Sequence, residues 1–130
     1  MTLLFEVDAL FCNDDRHLNN IAVIEQEGRY AYCPIFDNGA GLLSNTQLSP
    51  MDIDPKALIA ALRARPFNTT FTRQMNAARS LTGKQLFMSK LTAEDIHATV
   101  HPLLEYYPVR DCGIIADRVA ACILIRQKAM

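Results

Sequence analysis

The feature that most constrains this chain is a polar run, Cys12-Asn-Asp-Asp-Arg-His-Leu-Asn-Asn20, set between two apolar segments, Phe5 to Phe11 and Ile21 to Ile24. Burying both flanks draws the run against the core, where every polar group needs a partner. Folding alone gives no reason to gather Asn, Asp, Arg and His at that place. The run therefore reads as a site, and its flanks as the elements that hold it.

Upstream, Leu3, Leu4, Val7, Leu10 and Phe11 recur at helical intervals and predict a helix ending near Cys12. Downstream, Ile21–Gln26 and Arg29–Phe36 flank Glu27-Gly28 and predict a β-hairpin, with Gly28 supplying the turn dihedrals. A turn centred between Gly28 and Arg29 sets Asn20 opposite Asp37, roughly 4.5–5.5 Å apart at Cα. A slip of one or two residues still leaves the polar ends converging. The hairpin thus brings Asp15, Asn20 and Asp37 to one place.

Beyond a polar loop that ends at Pro50, Asp54-Pro55 opens a helix with Leu58, Ile59 and Leu62 on one face, stopped by Pro66. Residues 67 to 72 read as loop or short extended chain, and Gln74 to Leu81 as a short helix ending at Gly83. Thr92-Ala-Glu-Asp95 resembles a capping box and starts a helix carrying Ile96, Val100, Leu103, Leu104 and Tyr107. After Pro108 a last helix, roughly 110 to 127, turns Ile115, Val119, Cys122 and Ile123 inward. The expectation is a single domain over residues 1–130, α+β and predominantly α-helical, with one hairpin.

Half of the 130 residues are hydrophobic, which supports a core and argues against disorder. The net charge of −1 and the scattered Lys and Arg argue against direct nucleic-acid binding. No secretory signal and no membrane-length apolar run are visible, so a cytoplasmic protein off the membrane is expected. Cys12, Cys33, Cys112 and Cys122 lack metal-finger spacing and read as reduced thiols.

Two carboxylates and an amide at the hairpin base make an oxygen-rich site suited to Mg²⁺ with water and phosphates. Asp15 and Asn20 have the Asp-x-x-x-x-Asn spacing of protein-kinase catalytic loops, and Asp37-Asn38-Gly39 supplies a second Asp beyond a short hairpin. Other polar residues have plainer readings. Asp14 caps the helix or pairs with Arg16, His97 and His101 lie on a surface, and Arg63, Arg65 and Arg73 form a solvated face. Zinc at His17 with Cys12 and Cys33 is disfavoured by spacing. Tyr106 and Tyr107 finish a core helix, and Gly39-Ala-Gly41 is turn chemistry with Gly39 the candidate nucleotide contact.

Asp15-Arg-His-Leu-Asn-Asn20 followed by Pro34-Ile-Phe-Asp-Asn-Gly39 resembles the catalytic and metal-binding loops of HipA-like serine/threonine kinases, with His17 at the family's loop histidine. The resemblance covers Cys12 to Gly39; residues 50–130 are similar only in the general manner of a kinase C-lobe. It implies Asp15 as catalytic base, His17 as a loop-organising residue, Asn20 and Asp37 as Mg²⁺ ligands, ATP as phosphate donor and a protein hydroxyl as acceptor. Some members work with a DNA-binding antitoxin. The family also has an ATP-gripping N-lobe ahead of the loop, whereas only 14 residues precede Asp15 here, none of them lysine. The expectation is a C-lobe with little activity by itself, partnered by an N-lobe, another protein or a second copy. A catalytically silent binding module and a metal-dependent phosphohydrolase are the alternatives.

Overall fold

The computed structural model describes residues 1–88 and 90–130. Among them run α1 (Thr2–Phe11), a 3₁₀ turn (Leu18–Asn20), β1 (Val23–Gln26), β2 (Arg29–Tyr32), α2 (Pro55–Ala61), α3 (Phe71–Thr82), α4 (Ala93–Val100), a 3₁₀ segment (His101–Tyr106) and α5 (Val109–Gln127). Among the described residues the architecture is α+β, with five α-helices and one antiparallel hairpin.

Helix α1 is the central element. Its Ala9 packs with Phe71 and Met75 of α3, Leu10 with Ile96, Ala120 and Ile123 of α4 and α5, and Cys12 with Leu43, Ile59 and Cys122. A helix enclosed on several sides cannot carry a solvated face. Its two carboxylates are accordingly buried, with Glu6 and Asp8 almost completely excluded from solvent. Each is paired. Glu6 accepts Arg79 Nε at 2.6 Å and the backbone N–H groups of Leu86 and Phe87, which fastens the segment after α3. Asp8 serves the polar run described below.

Local signals act mostly as the chain suggests. Asp54 accepts from Lys56 N with Pro55 at the first helical position. Thr92 and Asp95 close a reciprocal capping box, Asp95 N to Thr92 Oγ1 at 3.1 Å and Thr92 N to Asp95 Oδ2 at 3.0 Å. Four readings need correction. Helix α2 ends at Ala61, well before Pro66. Helix α3 starts at Phe71 rather than Gln74, because Thr70 caps it by accepting from Arg73 N. Helix α4 gives way to 3₁₀ geometry at His101, since Pro102 brings no N–H to an α-helical ladder. Leu103, Tyr106 and Tyr107 are consequently exposed rather than core.

The hairpin register also differs. Val23 pairs with Tyr32 and Gln26 with Arg29, so paired numbers sum to 55, and the turn is centred between Glu27 and Gly28. Both turn residues have positive φ, 52° and 73°, which gives the tight two-residue turn whose twist suits a hairpin. The strands are shorter than expected and exposed at all eight positions. Among the described residues no helix is long and apolar enough to cross a membrane.

Candidate functional site

The site is built where α1 stops. Cys12 takes a left-handed conformation (φ 56°) and its N–H caps Asp8 O, turning the chain out of the helix. The following residues wrap around one side chain, Arg16, which is fully buried. Its Nε and Nη2 fork onto the Asp8 carboxylate at 3.0 and 2.9 Å. Nη1 donates to Asn20 O at 3.2 Å and to Phe36 O at 2.6 Å, and Nη2 also donates to Asn38 Oδ1 at 2.5 Å. All five guanidinium N–H groups are thereby used, a pattern only arginine can supply. Asn13 adds a bond from Nδ2 to Asp8 Oδ1 at 3.0 Å and accepts from Asp15 N.

Arg16 therefore ties three stretches together: the end of α1, the loop through Asn20, and the turn at Phe36 to Asn38. The ladder register, carried on through the Cys33 N to Ala22 O bond, sets Asn20 level with Ile35 rather than Asp37. Direct strand pairing does not join Asn20 to Asp37. A shared guanidinium joins their loops instead.

The predicted residues take these positions. Asp15 is exposed, and its carboxylate has no hydrogen-bond partner among the described residues; its main-chain O accepts from His17 N at 2.8 Å and from Asn20 Nδ2 at 3.5 Å. Asn20 is buried, with its amide nitrogen committed to Asp15 O and its side-chain oxygen without a hydrogen-bond partner among the described residues. Asp37 is exposed and left-handed (φ 54°), an unusual state for a residue other than glycine. His17 is exposed, and its backbone rather than its ring contributes to the loop. Gly39 is exposed, a Cβ there would meet nothing, and its carbonyl accepts Ser44 Oγ at 2.6 Å. Gly41 is the crowded glycine, where a Cβ would lie 3.1 Å from Phe11 O.

The reading of Arg16 as a partner for Asp14 is corrected: Arg16 belongs to Asp8. Burial instead raises Asp14 above the ordinary carboxylate range. Beneath the loop, the Cys12 thiol sits above the usual thiol range through its hydrogen bond with Cys122 and through burial. It is a packing group rather than a nucleophile.

Among the described residues no three His, Cys, Asp or Glu side chains converge into a preformed metal cage. A Mg²⁺ site of one carboxylate and one amide, completed by water and phosphate oxygens, does not need one. Asn20 and Asp37 each offer hard oxygen donors, the kind that ion prefers.

The chain matches no family model, no curated protein and no solved structure.

Proposed function

We propose that this chain is the catalytic lobe of a HipA-like serine/threonine kinase, working together with an ATP-gripping lobe. The observation that carries this reading is the Arg16 latch, which fastens the Asp15–Asn20 loop to the Asp37-Asn38 turn through Asn20 O, Phe36 O and Asn38 Oδ1. Phosphoryl transfer depends chiefly on positioning and charge, so a rigid link between these two loops is what the chemistry requires. Asp15, with an unengaged and exposed carboxylate, would take the acceptor hydroxyl's proton as its oxygen bonds the γ-phosphorus and the bond to ADP breaks. Asn20 and Asp37 would hold Mg²⁺, which when bound offsets phosphate charge.

A thermal-shift titration tests this reading. Magnesium plus ATP at millimolar concentration is expected to raise the melting temperature by a few degrees, and Asp37→Asn to remove the rise. No shift with either ligand would leave a second reading, a catalytically silent interaction module. That reading is favoured by the exposed apolar hairpin, where Val23, Ile24, Tyr30 and Tyr32 stand largely in solvent.

A further inference from the structure

The loop from Asn38 to Met51, Tyr107 and helix α5 line a half-open cavity of about 380 Å³. Arg118 of α5 lines it and is only 7% exposed. Its Nη1 donates to Pro50 O at 2.9 Å and its Nη2 to Ser49 O at 2.8 Å, while Nε has no partner. Arg16 and Arg79 each receive a carboxylate, from Asp8 and Glu6, and Arg126 lies over the Phe71 ring at 5.2 Å. Among the described residues no carboxylate reaches Arg118, and the cavity lining contains neither Asp nor Glu. A buried guanidinium answered only by neutral carbonyls is costly, and although Nε itself is sealed from solvent, an anion in the cavity that Arg118 lines would offset its charge.

The rest of the lining narrows the ligand. Leu42, Met51, Ile115 and Val119 make apolar walls, while Thr46 and Tyr107 supply hydroxyls. Such walls suit the methylenes of a side chain that ends in a charge, more than a fully hydrated inorganic ion. Asn38 belongs to the same lining, and its Oδ1 accepts from Arg16, so the cavity adjoins the latched loops.

We propose that this cavity is a subsite for an acidic side chain, Glu or Asp, of the acceptor polypeptide. The carboxylate meets Arg118 while a nearby serine or threonine of the same polypeptide addresses Asp15. The identity of the polypeptide as an acceptor rests on the kinase reading; the anion recognition rests on Arg118 and its cavity.

Fluorescence anisotropy with two labelled serine peptides tests the proposal, one flanked by Glu and one by Gln. The Glu peptide is expected to bind about tenfold more tightly at low salt, with the preference shrinking as salt rises. Arg118→Gln is expected to abolish the preference. Because Arg118 also holds the carbonyls of Ser49 and Pro50, Thr46→Glu provides a second variant. It adds a carboxylate at an exposed position of the lining and is expected to reduce Glu-peptide affinity without disturbing a buried contact. Equal binding of the two peptides, or an unchanged preference in Thr46→Glu, overturns the proposal. Inorganic phosphate binding without a peptide preference also overturns it and assigns the cavity to a free anion. A Glu preference without any MgATP thermal shift keeps the subsite and removes the kinase reading; a MgATP shift without the preference does the reverse.

Discussion

Arg16 sets the energetics at the scale of single residues. Removing one member of a buried, hydrogen-bonded ion pair leaves an uncompensated charge, which typically costs about 3–5 kcal/mol. Arg16→Met is expected to destabilise by that order in urea unfolding, because Asp8 stays buried and loses its fork. Asp8→Asn combined with Arg16→Met should cost less than the two single changes summed. A full sum would mean the pair is not coupled. Asp95 gives a second residue-scale test. Hydrogen bonds from the Thr92 backbone and then its hydroxyl lower the Asp95 pKa in the folded chain. A carboxylate depressed on folding stabilises above its unfolded pKa, and that contribution fades as pH falls through the folded value. The stability gap between wild type and Asp95→Ala is therefore expected to shrink below the ordinary carboxylate range. A gap that widens on acidification would contradict the capping role.

The sequence singled out Asp15, Asn20 and Asp37 by spacing but misplaced Arg16, and the reason is physical. Local spacing suggested the adjacent Asp14, whereas the true partner, Asp8, lies two helical turns back inside a buried helix. One signal was present. Asp8 and Glu6 sit in an α1 that is apolar but for Thr2, with no capping position to justify them, so each needed a cation. Which arginines would answer, Arg16 and Arg79, depends on tertiary packing that no local pattern encodes.

Among elements, the hairpin and the loop over α1 carry the lesson. The hairpin itself was legible from Glu27-Gly28, but its register was not, because Glu27 as well as Gly28 adopts positive φ. A non-glycine residue seldom does so, and the paired numbers then sum to 55 rather than 57. Capping signals at Asp54 and Thr92 read correctly because they act within a single turn of helix. The loop after Asp37 was unreadable beyond its turn residues, yet it is pinned closely. Leu42 N donates to Phe11 O at 2.6 Å, and Gly41 is packed against the same carbonyl. Gly41→Ala would place a methyl 3.1 Å from that backbone oxygen, so the loop must move. The expected cost is about 1–3 kcal/mol by thermal or urea unfolding, in the manner of an overpacked core. A neutral substitution would show that the loop yields freely.

Across the whole molecule, α1 delivers a buried carboxylate to the base of the polar run, and Arg16 spreads that anchor to both loops. The helical bulk behind it, α3 to α5, holds α1 in place. The hairpin keeps the apolar side chains of Val23, Ile24, Tyr30 and Tyr32 exposed. On the proposed kinase reading, the latched loops present Asn20 and Asp37 as one divalent-cation site beside Asp15. The most direct measurement is paramagnetic broadening of backbone amide resonances by Mn²⁺, a spectroscopic substitute for Mg²⁺. Broadening centred on residues 15–20 and 36–39, competed by Mg²⁺ and lost in Asp37→Asn, is the expected result. Broadening elsewhere, or a pattern unchanged in Asp37→Asn, would contradict the account.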